Sequence, residues 1–64
     1  MSKNSWVITD GRGYYVSSLS DRDPLFVPFR DTDNLLLLDT QEEAKIYLKK
    51  FRLDEKYYKI RQVL

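Results

Sequence analysis

The 64 residues contain ten carboxylates and eleven lysines and arginines but no histidine and no cysteine. That combination removes imidazole acid/base chemistry, thiolate nucleophiles, disulfides and the usual zinc ligand sets before any fold is considered. Neighbouring carboxylates, Asp31 with Asp33 and Glu42 with Glu43, act as acid and base only in a cleft that drives their pKa values apart, and a chain this short has little room for one. Ser17, Ser18 and Ser20 have no histidine to activate them. Asp31-Thr32-Asp33-Asn34 opens like a calcium loop, but Leu36 stands where such a loop needs its sharp-turn glycine. Gly11-Arg12-Gly13 lacks the third glycine, or the lysine and following helix, of a phosphate cradle. The expectation is a protein without catalytic residues, cofactor or metal. The chemistry left is recognition. Tyr15, Tyr57, Lys59 and Arg61 are the aromatic and cationic types that meet either a protein partner or the bases and phosphates of a single strand.

The elements that must position these residues are legible from capping and periodicity. Thr40 and Glu43 have the spacing of a capping box, in which the hydroxyl accepts from the third helical N–H and the carboxylate reaches back to the Thr40 N–H. A helix therefore starts at Gln41. Ala44, Tyr47, Leu48 and Phe51 then follow on one 3.6-residue stripe, and the helix should end near Arg52. Acidic Glu42 and Glu43 in the first turn, and Lys49, Lys50 and Arg52 near the last, complement the helix dipole. Before the helix, Leu35 to Leu38 reads as a strand, with Leu35 and Leu37 on one face and Leu36 and Leu38 on the other.

Earlier, Ser5–Asp10 and Gly13–Leu19 are rich in β-branched and aromatic residues, and Asp10-Gly11-Arg12-Gly13 between them has the chemistry of a tight hairpin loop. Leu25-Phe26-Val27-Pro28-Phe29 is apolar but carries a proline, which places it at a sheet edge or in a covering segment. Lys56 to Leu64 alternates as a last strand: Tyr58, Ile60 and Leu64 share one face, and Tyr57, Lys59, Arg61 and Val63 the other. Residues 1–64 thus read as a single α+β domain, a twisted and mainly antiparallel sheet of three to four strands with one helix packed across one face.

One helix with one apolar stripe covers one face of such a sheet. If Trp6, Ile8, Tyr14 and Val16 face the helix, then Val7, Tyr15 and Leu19, one leucine pair, and Tyr57 with Lys59 and Arg61 lie opposite; the two faces of the hairpin can also be exchanged, and either way apolar side chains are left over. Surplus apolar surface of that kind marks an interface. The candidate partner-binding residues are Tyr15, Leu36, Leu38, Tyr57, Lys59 and Arg61. A homodimer is one way to cover them.

The net charge of +1 conceals an asymmetry. Residues 20–43 hold seven acidic residues against two basic ones, and residues 44–64 hold seven basic against two acidic; part of this split complements the helix dipole, and the rest reads as ordinary solvation or, alternatively, as acidic and basic patches for a partner. The opening Met1-Ser2-Lys3-Asn4-Ser5 does not read as a signal peptide, and no apolar run is long enough to span a bilayer. A cytoplasmic address without membrane contact is the expectation.

The opening Trp6-Val7-Ile8-Thr9-Asp10-Gly11-Arg12-Gly13-Tyr14-Tyr15-Val16, the capped helix from Asp39-Thr40-Gln41-Glu42-Glu43-Ala44 to Tyr47-Leu48, and the closing Tyr57-Tyr58-Lys59-Ile60-Arg61-Gln62-Val63 resemble small single-domain proteins encoded by bacteriophages and other mobile elements. The resemblance covers most of the chain. It implies a non-catalytic protein-binding module acting stoichiometrically on a bacterial host protein, such as an inhibitor of a defence or host-takeover target, in the cytoplasm of the host cell. A small single-stranded nucleic-acid-binding protein and a self-assembling structural protein are the alternatives.

Overall fold

Trp6–Thr9 forms β1 and Tyr14–Val16 forms β2, antiparallel neighbours with Thr9 opposite Tyr15, in the computed structural model, which describes residues 5–63. The loop between them is built from its own side chains. Gly11 and Gly13 take φ of 80° and 99°, backbone that a Cβ would strain. The Asp10 carboxylate accepts from the N–H groups of Arg12 at 2.7 Å and Tyr14 at 3.3 Å. The Thr9 hydroxyl donates to the Tyr14 carbonyl and accepts from the Gly11 N–H.

Phe26–Pro28 forms β3 and Lys59–Gln62 forms β4. β3 runs antiparallel to β2 and β4 antiparallel to β1, giving a four-stranded sheet in the order β3-β2-β1-β4. With the helix α1, Gln41–Lys50, the fold is α+β. No helix among the described residues is long and apolar enough to cross a membrane.

Both ends of α1 follow from sequence. The Glu43 N–H donates to the Thr40 hydroxyl at 3.1 Å, but the Glu43 carboxylate accepts from the Asp39 N–H at 3.0 Å rather than from Thr40. The box is displaced by one residue because extended Thr40 leaves the Asp39 N–H within reach. At the other end the Leu53 N–H donates to the Leu48 carbonyl and the Arg52 N–H to the Lys49 carbonyl, with Arg52 at φ 57°. This is the left-handed cap that glycine normally fills. The helix thus stops at Lys50, and Arg52 is the residue that turns the chain away.

The leucine run is not a strand. Only Leu35 and Leu38 form bridges, to Ser17 and Trp6 respectively. The Trp6 N–H and carbonyl both bond to Leu38, at 2.8 and 2.9 Å, while the Leu36 N–H donates to the Val16 carbonyl and the Ser18 N–H to the Asn34 carbonyl. β1 and β2 diverge beyond their shared pair, and the leucine segment fills the fork, satisfying backbone groups on both strands. Its side chains still alternate. Leu36 and Leu38 join the helix-side core, whereas Leu35 is buried away from that cluster and Leu37 is 53% exposed. Leu38, only 4% exposed, is therefore a core residue and not a partner-binding one, and Leu36 packs against the same core.

That core consists of Ile8, Val16, Leu38, Ala44, Leu48 and Phe51, ringed by Trp6, Leu36, Tyr47, Leu53, Tyr58 and Ile60. α1 packs against β1 and β4. Over the other half of the same face, Phe26 of β3 and Tyr58 reach toward each other and stack, rings 5.8 Å apart and 19° from parallel. The opposite face is not bare either: Val7 is 0% exposed, and Thr9 and Ser17 are also buried. The last strand begins later than the alternation predicts, because Asp54 accepts the N–H groups of Tyr57 and Tyr58 at its carbonyl and that of Lys56 at its carboxylate, folding 54–58 into a turn. Leu64, expected on the core side, lies outside the described residues.

Candidate functional site

The sequence-predicted site residues fall into three places. Lys59 and Arg61 stand exposed on the outer face of β4, beside Thr9 and Val7 of β1. Tyr15 lies on that face too, in a row that runs Val27, Tyr15, Thr9, Lys59 across the four strands, and its ring meets that of Phe29 at 5.3 Å. Tyr57 is elsewhere. It sits in the turn before β4, 67% exposed, and with Asp10, Arg12 and Tyr58 lines a cleft of about 250 Å³. Leu38 belongs to the core, and half-buried Leu36 packs against it. A basic aromatic strand of Tyr57, Lys59 and Arg61 is therefore not formed, because the Asp54 turn takes Tyr57 out of the strand.

The surface that does form lies on the helix side, over the half of the sheet that α1 leaves open. Tyr14 is 50% exposed and opposes Pro28; Phe26 opposes Val16 and carries Tyr58 on its ring; Tyr57 and Arg12 continue past Tyr58 along the cleft. Leu25 and Leu19, both exposed, flank β3. Arg12, Tyr14 and Phe26 are absent from the sequence-derived set. The signal for them was the width of the sheet: a helix about 10 Å across spans only about two strands spaced ~4.8 Å apart, so four strands under one helix must leave half a face uncovered. In the cleft the Asp10 carboxylate is engaged by backbone N–H groups, whereas Arg12 projects from the loop as the cationic side chain.

Among the described residues no three acidic, histidine or cysteine side chains come together as a metal site, and the Asp31 carboxylate receives the Asn34 amide at 3.0 and 3.1 Å. A larger hollow, about 440 Å³, is lined by Asp21, Arg22, Asp23, Lys50, Phe51 and Arg52. It places Asp21, Arg22 and Asp23 across from Lys50 and Arg52 at the end of α1.

The two sheet edges differ. The Leu25 carbonyl accepts from the Ser17 N–H, so Leu25 and Val27 turn their backbone groups toward β2, and Phe26 and Pro28 turn theirs outward. Pro28 has no N–H, and its carbonyl already accepts from Asp31 at 3.0 Å. The β3 edge is closed apart from Phe26. On β4, by contrast, Arg61 and Lys59 face β1, because Trp6 spends its backbone groups on Leu38 and the bonding pairs to β4 must alternate from Val7. Ile60 and Gln62 therefore direct N–H and carbonyl outward, with no proline between them.

Comparison with known protein families, curated proteins and solved structures gave no match.

Proposed function

We propose that the protein is a non-catalytic binding module that recognises another protein through the uncovered aromatic patch of Arg12, Tyr14, Phe26, Tyr57 and Tyr58. The observation that carries this reading is the exposure of large aromatic side chains on the half of the helix-side face that α1 does not reach. Tyrosine, phenylalanine and arginine are enriched in protein interfaces, where they supply much of the binding energy at low conformational cost. Its direction toward a bacterial host protein, as a stoichiometric inhibitor, rests on the resemblance of the chain to small bacteriophage proteins. Single-stranded nucleic acid is the lesser reading, since Tyr57 lies in the turn before β4 rather than on the strand with Lys59 and Arg61, and the net charge is only +1.

The test is capture from a bacterial lysate on immobilised protein, with and without nuclease, comparing the native chain with the Tyr14→Ser/Tyr57→Ser double variant. A nuclease-resistant partner in stoichiometric yield, lost with the double variant while circular dichroism stays native, is the expected result. Captured material that disappears on nuclease treatment would replace this reading by the nucleic-acid one. A second copy of the chain as sole partner would replace it by self-assembly.

A further inference from the structure

We infer that β4 is a docking edge for an extended segment of a partner protein in which acidic residues flank an apolar one. The inference goes beyond the aromatic patch and rests on different atoms.

Ile60 and Gln62 present backbone N–H and carbonyl groups on the outer side of β4, as a row that a further strand would satisfy. A strand added there places its side chains alternately on the two faces of the sheet, each beside the β4 residue it opposes. The residue opposite Ile60 falls on the helix side. An open depression of about 250 Å³ lies at that point between α1 and β4, lined by Gln41, Lys45 and Leu48 of α1 and by Glu55, Tyr58, Lys59 and Ile60. It has room for an aliphatic side chain beside Leu48, Tyr58 and Ile60. The residues on either side fall on the outer face, against exposed Lys59 and Arg61, and carboxylates there are electrostatically matched.

A second copy paired antiparallel about Ile60, the register that uses this depression, does not meet these requirements. Pairing β4 with itself about Ile60 would set Lys59 opposite Arg61 of the other chain, and like charges directly opposite are repulsive. Basic side chains on an open edge keep identical edges apart and select an acidic strand. The β3 edge, closed by Pro28 and Asp31, offers no comparable row, so the inferred site is specific to one side of the sheet.

The test is an NMR titration of the full ¹⁵N-labelled chain with a capped seven-residue peptide alternating glutamate and valine, beside a lysine–valine peptide and an oligothymidylate. The expected result is saturable binding of the glutamate peptide with shifts and slowed hydrogen exchange at the Ile60 and Gln62 amides. Affinity should fall about tenfold or more in Lys59→Gln/Arg61→Gln, corresponding to ~1.4 kcal/mol or more, with dispersion of the spectrum unchanged. Tyr14→Ser/Tyr57→Ser should leave peptide binding intact, which separates failure of this site from failure of the aromatic patch. Absence of shifts at millimolar peptide, equal binding of the lysine peptide, shifts confined to Tyr14, Phe26 and Tyr57, or displacement of the peptide by oligothymidylate from the same amides would each overturn the inference.

Discussion

At the scale of single residues, Arg52 is the position where local backbone and side-chain type conflict. Its φ of 57° closes α1 through the paired bonds from Leu53 to Leu48 and from Arg52 to Lys49, and a residue with a Cβ is held there at a cost of about 1–2 kcal/mol. Arg52→Gly is therefore expected to stabilise the fold, by up to about 1 kcal/mol once the greater freedom of glycine in the unfolded chain is subtracted. Urea unfolding followed by circular dichroism reads this directly, and a loss of stability would show that the Arg52 side chain, which lines the hollow with Asp21 and Asp23, outweighs the backbone strain. Thr40, Gly11 and Gly13 raise no such conflict. Each has the chemistry its place demands and was readable without the fold, whereas Glu43 accepts from Asp39 rather than from Thr40 as its spacing predicts.

At the scale of elements, the leucine run shows how a correct pattern can belong to the wrong structure. Four leucines before a helix cap alternate as a strand does, and in the fold they still alternate, but the segment pairs with two diverging strands by one isolated bridge each rather than by a continuous ladder. The alternation therefore predicts energies better than secondary structure. Leu38→Ala, which empties a place beside Ile8, Ala44 and Leu48, is expected to cost about 2–5 kcal/mol. Leu37→Ala, one residue earlier and 53% exposed, should stay within about 0.5 kcal/mol. Chemical denaturation midpoints of the two variants distinguish them, and equal losses would mean that Leu37 is buried in solution. The last strand differs for a related reason: Tyr57 alternates with Lys59 and Arg61 in sequence, but three acceptor contacts at Asp54 make a turn of its segment.

At the scale of the whole molecule, eight apolar residues are buried among the described residues of a chain with 4912 Å² of accessible surface, and proteins of this size bury only about 60% of what their unfolded chain exposes. α1, Leu36 and Leu38 of the leucine run, and Tyr58 all close on one cluster. The expected consequence is one cooperative transition, in which fluorescence of Trp6 at the core margin and far-ultraviolet circular dichroism coincide on thermal unfolding. A fluorescence change that precedes loss of helix would separate the sheet from α1. The sequence by itself determined what depends on residues near one another along the chain: the hairpin loop, the helix and the stripe it buries, the edge position of the proline strand, the α+β class, and the absence of histidine and cysteine chemistry. Lys59 and Arg61 were placed on the outer face from alternation alone, and they lie there. Only the tertiary structure decided which half of the sheet the helix covers, and therefore that Tyr14 and Phe26 are uncovered while Leu36 and Leu38 are not. It alone decided that the β3 edge is closed and the β4 edge open. Those outcomes depend on strand order and on which backbone groups already have partners, and both are settled by contacts between residues far apart in the chain.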